Sequence, residues 1–600
     1  MFLPATQAEM QQRGWQELDI ILVTGDAYLD TPFTGVSLIG RALESAGFRV
    51  GVIAQPDVQT TNDITRLGAP RLFWGVTAGC VDSLVANYTA TGRKRQEDDF
   101  TPGGQNNRRP DRASIIYANL IRRACRPCAP IVLGGIEASL RRIAHYDFWS
   151  NRIRQSILLD AKADLLVYGM AEQTVLELAQ RLRDGRDWRD LRGICFAAAA
   201  PPPDAVMLPS YAAVAAPPSP AAHAAFLEMF RLFAANQDPV TARPLAQQHD
   251  LRWVVQQPPA PAATTCELDR LYRLPFEREA HPLDAARGPV RALDTIRFSI
   301  TTHRGCFGEC AFCAIAMHQG RRVVSRSAAA ILAEAEQLTH HPKFRGILSD
   351  IGGPTANMYG MDCPRMATRG TCPNRHCLFP EVCANLKVSH QPQTNLLRQL
   401  RQLPGIRKAF VASGLRHDLV LADAAHGPGY LDELVAHHVS GQLKLAPEHS
   451  AANVLRLMRK PGVAKLLAFR AQFEQANARH QRQQFLTYYF VAAHPGCTAA
   501  HMRELQQFTL RELRLAPEQV QVFTPTPSTW ATAMYWTERD PASGDPVFVE
   551  KSGRGRQDQK AILMASRPAP GPTPGRPARG APARASGPGH GHATGKPRSP

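Results

Sequence analysis

Apolar residues along this chain come in two arrangements. From the N-terminus to about Tyr168, short continuous apolar runs are separated by longer stretches with helical spacing. The runs are Asp19–Val23, Arg49–Ala54, Arg71–Val76, Ile131–Leu133 and Asp164–Tyr168, and Gly35–Ala46 between the first two has the pattern of a helix. Short apolar runs of this kind suit strands buried on both faces. Their alternation with helices predicts an open parallel sheet, whose ligands sit beyond the C-terminal ends of the strands.

The second arrangement starts near Asp294. Six strand–helix units are predicted, with strands at Ile296–Thr302, Gly346–Asp350, Lys408–Ser413, Gln442–Ala446, Phe485–Ala492 and Val520–Thr524. Helical patterning such as Ala328–Leu338 and Ala464–Asn477 lies between them. Two Ala/Pro-rich stretches, Ala197–His223 and Gln256–Thr265, separate the arrangements and flank a predicted helix at Ala224–Gln237. The chain therefore divides into 1–197, a linker with a helical segment at 198–290, a second α/β unit at 291–540 with an insertion at 361–385, an extension at 541–566 ending in a helix near Gln559, and a tail at 567–600.

Composition adds three constraints. The formal net charge is +18, and half of it falls at the C-terminal end: Lys551–Pro600 holds ten Lys/Arg against one Asp, a net of +9. The Pro/Gly/Ala/Arg-rich tail has no apolar periodicity and reads as disordered; it is either a solvated extension or a contact for nucleic acid. No apolar run reaches the roughly 18 residues of a membrane span, and the N-terminus lacks a signal pattern, so a cytoplasmic protein without membrane contact is expected. Thirteen cysteines in a reducing compartment point to metal ligation rather than disulfides.

Two cysteine sets carry the chemistry. Cys306, Cys310 and Cys313 follow the first strand of the second unit at Cx3Cx2C spacing. Three thiolates on one loop suit a [4Fe–4S] cluster with one iron left open; a structural zinc would draw a fourth ligand from His303 or His318. Cys363, Cys372, Cys377 and Cys383 form the second set, within the insertion. Four thiolates satisfy an auxiliary [4Fe–4S] cluster or a zinc ion, and ligand type does not choose between them. Cys125 and Cys128 make an isolated CxxC in Arg/Pro-rich surroundings.

Polar groups also collect after predicted strands. Asn87–Ser114 is too polar and long for a simple connection. Glu137, Arg141, Arg142, His145 and Asp147 follow the fourth strand, and either line a pocket or pack as ion pairs. Trp530 and Ala533–Trp536 form an aromatic segment that closes the end of the second unit or meets substrate.

The Cx3Cx2C triad with Phe312 before its last cysteine resembles the radical S-adenosylmethionine (SAM) superfamily. The segments NYTATGRKR, FTPGGQNNRRPDRASIIYANL, LGGIEASLRRIAHYDFW, ADLLVYGMAEQT and CELDRLYRLPFEREAHP are similar to the YgiQ-type proteins within it, and the likeness runs from about Gly14 to about Ser566. This resemblance implies a Rossmann-like, cobalamin-binding-like N-terminal sheet and a partial (β/α)6 radical SAM barrel. It implies a catalytic cluster on Cys306, Cys310 and Cys313, with SAM held through Phe312, Gly352, Gly353, Pro354, Ser413 and Glu448, His449 and His494 nearby, and Val522–Thr524 facing the adenine. Reduction by a donor such as flavodoxin or ferredoxin is implied too, with a substrate that the resemblance leaves unidentified. Cobalamin-binding relatives carry a DxHxxG loop after the first strand, and the corresponding Asp26–Gly35 has no histidine. Two other functions stand beside this one: a tRNA-modifying methylthiotransferase-like enzyme, which would want a C-terminal nucleic-acid domain not seen here, and a non-catalytic iron–sulfur or zinc protein that binds nucleic acid.

Overall fold

A computed structural model describes residues 1–517 and 519–565; the 567–600 tail lies outside the described residues. The first unit is built on one sheet. Its strands are β1 (Ile20–Thr24), β2 (Val50–Ala54), β3 (Phe73–Thr77), β4 (Ile131–Leu133), β5 (Leu165–Val167), β6 (Ile194–Ala198), β7 (Val206–Leu208), β8 (Leu245–His249) and β9 (Arg252–Gln256). They lie in the order β7-β8-β9-β6-β5-β4-β3-β1-β2. The five strands from β2 to β5 are parallel, with Ile20 opposite both Val50 and Phe73. Every residue of β1 and β2 is buried, as their unbroken apolar runs require. One face packs under helices Gly35–Ser45 and Glu172–Arg183, the other under Ala113–Ala124.

The sheet is wider than the apolar runs foretell. Strands β7, β8 and β9 come from 206–256, inside the stretch read as a linker, and join through antiparallel β6–β9 and β9–β8 pairs. Helix Pro220–Ala235 lies in the same stretch and buries Phe226, Phe230 and Phe233. The Pro/Ala bias that suggested a linker is confined to the flanks, and the segment between them carries its own apolar face.

The second unit follows the expected strand–helix order. Strands β10 (Ser299–Thr301), β11 (Ile347–Leu348), β12 (Asp350–Gly352), β13 (Lys408–Ala409), β14 (Gln442–Glu448), β15 (Phe485–Ala492) and β16 (Gln519–Val522) supply six positions, β11 and β12 sharing the second. Neighbours are parallel: β10 with β12, β11 with β13, β14 with β15, β15 with β16, and Leu415 bridges Leu445 between the third and fourth positions. Among the described residues no pairing joins the first position to the sixth. The first strand is shorter than its Ile296-Phe298-Ile300 alternation predicts: Ile296 ends helix Ala292–Ile296, and pairing begins at Ser299, opposite Asp350. Phe298 instead sits edge-on to His341 and Phe344.

An aromatic-rich core joins the units. Helix Trp530–Thr537 packs on helix Pro220–Ala235 and on Tyr146, with Trp536 stacked on Tyr146 at 4.8 Å and Trp530 edge-on to Phe230 at 5.1 Å. The aromatic segment is thus packing between the units. Helix Gly553–Met564 closes the described chain against β15 and β16.

Candidate functional site

The cysteine loop leaves β10 through His303–Arg304, which pairs antiparallel with Val324–Ser325. Two glycines let it turn. Gly305 has φ +82°, and a Cβ there would meet the Arg322 carbonyl oxygen at 1.9 Å. Gly308 donates its N–H to Cys306 Sγ at 3.3 Å. A Cβ on Gly308 would lie 3.2 Å from Cys306 Sγ, 3.7 Å from Cys310 Sγ and 3.4 Å from Arg416 Nη1. Those two sulfurs and a guanidinium therefore surround one small space beside Gly308, which a side chain there would crowd. Glu309 holds a left-handed φ of 43°.

The loop is clamped from outside its own sequence. Ala311 N–H donates to Met458 O at 3.1 Å, and its carbonyl accepts from Ala531 N–H at 2.8 Å. One partner ends helix Ala452–Met458 and the other opens Trp530–Thr537. The Glu309 carboxylate pairs with Arg321 at 2.5 Å and with His376 of the insertion at 3.2 Å. Cys306 Sγ is 3.4 Å from Thr355 Oγ1, and Arg416 Nη1 is 3.8 Å from Cys310 Sγ.

Burial sets the electrostatics. It raises the Cys306 thiol and pushes the Cys313 thiol up to about 12. Burial alone would weaken the Arg416 cation, but Asp418 overrides this through a two-pronged pair at 2.8 and 2.5 Å and holds it charged. Glu448 has φ +69° and a carboxyl raised by burial, an effect that Lys460 Nζ, 3.6 Å away, offsets in part.

The glycines after the second strand position have definite places. Gly352 O accepts from Thr302 N–H at 2.7 Å. Gly353 makes room for an imidazole: a Cβ there would meet His303 Cε1 at 2.6 Å and Nε2 at 2.7 Å. His303 is fully buried, pushed down to about 4 by burial, and its Nε2 has no hydrogen-bond partner. Ser413 Oγ donates to Asp350, which also accepts the Ala412 and Ser413 N–H groups at 2.8 and 3.1 Å. Phe312 is edge-on to His494 at 6.0 Å, and His494 contacts Phe523. His449 accepts two backbone N–H bonds at Nδ1, so its Nε2 carries the proton toward Cys497 Sγ at 3.4 Å.

Cys306, Cys310, Cys313, Phe312 and Glu448 thus gather at the strands' C-terminal ends. Residue-by-residue reading missed Thr355, Asp350, Arg416, Asp418 and Lys460; only Arg416 and Asp418 carried a signal, charge placed soon after the third strand position, while Asp350 opens β12, Thr355 is uncharged and Lys460 follows a helix.

The second cysteine set is only partly assembled. Asp362 pairs with Lys387 at the base of the insertion, and Cys383 N–H donates to Cys377 O at 2.8 Å. Cys363, Cys377 and Cys383 share one apolar cluster with Cys306 and Phe307; Cys372 is not part of it, and the neighbouring Thr371 N–H binds Asp238 at 2.8 Å. Burial pushes the Cys377 thiol up to about 12. Among the described residues no three His, Cys, Asp or Glu side chains converge on the position of a single ion.

Polar groups of the first unit mostly satisfy one another. Arg109 is held by Asp26 at 2.7 Å and Asp98 at 3.0 Å, which ties the 87–114 segment to the edge of the sheet. Glu137 accepts from Ser83 and Ser114 N–H groups, Arg141 pairs with Asp82, and Asp147 with Arg112. Cys125 and Cys128 are free and partly exposed. No helix among the described residues is long and apolar enough to cross a membrane.

Comparison with known proteins agrees with this layout. A family model described as Radical SAM N-terminal matches residues 2–299, and a domain of unknown function, DUF3362, matches 518–569. A UPF0313 protein of Fusobacterium nucleatum is 49% identical over 94% of this chain and 99% of its own length. One from Thermotoga maritima is 49% identical over 94% and 98%. Among solved structures, the radical SAM methyltransferase TsrM of Kitasatospora setae, with cobalamin and a [4Fe–4S] cluster bound, aligns at TM-score 0.50 and 15% identity, covering 92% of this chain and 91% of that one. At that identity the likeness speaks for the fold. The chain belongs to the UPF0313 family of YgiQ-type radical SAM proteins.

Proposed function

We propose that this protein is a SAM-cleaving radical enzyme whose Cys306, Cys310 and Cys313 hold a [4Fe–4S] cluster. The observation that carries the reading is the Gly308 turn, where a glycine N–H, two cysteine sulfurs and the Arg416 guanidinium face one space. Cubane ligands bind separate irons, so they need not converge as ligands of one ion do. With cluster and SAM bound, reductive cleavage of the sulfonium supplies methionine and a 5′-deoxyadenosyl radical for hydrogen abstraction.

The chain's own groups then do the positioning. The Gly308 N–H and Arg416 place positive charge beside the thiolates, which favours their deprotonated form and a reducible site. Glu448 and Ser413 offer polar atoms at the strand ends for SAM, Gly352, Gly353 and Pro354 its backbone edge, and Phe312 an apolar wall. Flavodoxin or ferredoxin is the class of donor such a site takes. The second set, Cys363, Cys372, Cys377 and Cys383, is read as an auxiliary [4Fe–4S] or zinc site, and three of the four share one apolar cluster. A cobalt–histidine bond is not part of this reading, because Asp26–Gly35 contains no histidine.

The test is anaerobic reconstitution, then dithionite and SAM, following 5′-deoxyadenosine and counting iron, sulfide and zinc per chain. Deoxyadenosine that disappears in Cys306→Ala supports the radical reading. A fully loaded first cluster whose EPR signal ignores SAM sinks it. Loss of the second metal in Cys377→Ala but not Cys372→Ala supports the three-cysteine core.

A further inference from the structure

Two cavities meet beside the cysteine loop. The first, about 340 Å³, lies at the C-terminal ends of β1, β3, β4 and β5 and runs inward along Leu22, Phe33, Ile39, Phe73 and Val175. Its two carboxylates are already engaged, Asp26 by Arg109 and Glu172 by Arg304 at 2.7 Å. The second, about 260 Å³, lies between the cysteine loop's helix Ile315–Gln319, the 259–263 connection and the insertion. Gly169, Met170, His318 and Gln319 line both. These shared residues place the two cavities side by side.

The second cavity has one arginine in its lining that no carboxylate among the described residues pairs with. Arg304, Arg321 and Arg322 line it. Arg304 and Arg321 have carboxylate partners in Glu172 and Glu309, whereas Arg322 makes no ion pair among the described residues. Asp238, the acid of this cavity, is spent on the N–H groups of Val240, Thr241 and Thr371. The Nε atoms of Arg321 and Arg322 and Nδ1 of His318 are buried without a hydrogen-bond partner. Behind Tyr168, on the wall of the same cavity, Arg142 sits between the rings of Tyr168 and Phe233 at 4.1 and 4.8 Å, with its Nε and Nη1 also unpartnered. Buried donors in native proteins are normally satisfied, and uncompensated arginines beside a cavity suit a phosphate.

We propose that the paired cavities bind an aromatic ribonucleotide phosphate, its ring in the apolar sheet-edge cavity and its phosphate against Arg322 and His318 Nδ1. The same chemistry reaches the site from two sources, a free nucleotide or the nucleotide tail of a corrinoid. The inference does not depend on the cysteine site being loaded, because none of the cysteines of either set lines the cavities.

Calorimetric titration of the full chain tests it, using AMP, adenosine, hydroxocobalamin and cobinamide, which lacks the tail. AMP binding at least ten-fold tighter than adenosine, undisplaced by excess SAM and weakened ten-fold or more by Arg322→Gln, supports a free nucleotide. Hydroxocobalamin binding without cobinamide binding, weakened by the same substitution, supports the tail. Circular dichroism melts of Arg322→Gln and His318→Gln separate lost contact from misfolding, and Arg322→Lys should restore part of the affinity. Absence of binding by both AMP and hydroxocobalamin overturns the proposal. So does affinity unchanged in a well-folded Arg322→Gln protein, or displacement of AMP by SAM.

Discussion

The Arg416 guanidinium stands 3.8 Å from Cys310 Sγ while gripping Asp418. Replacing it with Gln removes a cation from the thiolates and strands a buried carboxylate. Arg416→Gln should lower the reduction midpoint of the reconstituted cluster, read by EPR-monitored titration, and cost about 3–5 kcal/mol in denaturant unfolding. A midpoint unchanged despite full iron loading would remove Arg416 from the electrostatic account. Gly353 gives a second prediction. A Cβ there sits within 2.8 Å of His303 ring and backbone atoms, so Gly353→Ala should destabilise by about 1–3 kcal/mol through overpacking. Gly305→Ala should be worse, because it adds a left-handed φ to a backbone clash, and thermal midpoints of the two variants would rank them. The cysteines were legible because their ligand chemistry is unusual and their spacing is local. Arg416 and Asp350 were not, because an arginine or aspartate after a strand looks the same whether it faces solvent or sulfur.

Strand and helix order could be read from the chain; their edges and partners could not. The apolar runs of β1 and β2 are buried throughout, so pattern and burial agree. The predicted helix of the linker stretch is present, but composition averaged over the flanks hid three strands around it. The role of the aromatic segment is likewise tertiary. Trp536 is 7% exposed and stacks on Tyr146 from the other unit. Trp536→Ala should cost about 3–5 kcal/mol. Because it loosens the joint between units, denaturant unfolding followed by circular dichroism should broaden or split into two steps. A single sharp transition at the original midpoint would mean that the units are held elsewhere.

Across the molecule, buried neutral histidines tie stability to pH. Burial pushes His249, His417 and His494 down to about 4. Unfolded histidine titrates near 6.5. Between those values the unfolded chain takes up protons that the folded chain refuses, so these residues contribute full stability above about pH 6.5 and lose it as pH falls toward about 4. Urea midpoints should be flat from pH 8 to 7 and fall steadily below 6.5, and His249→Gln with His494→Gln should shallow that fall. An equal slope in the double variant would assign the effect to other groups.

The clamp on Ala311 has a consequence in time. Its two backbone partners, Met458 and Ala531, are made about 150 and 220 residues after the cysteine loop. At roughly 5–20 residues per second, the cysteines wait on the order of ten seconds or more before the helices that fix their loop exist. During that interval the thiols are presented on an unfinished surface, open to iron delivery and to oxidants alike. Closure of the last helices is then the step that seals the cysteine loop.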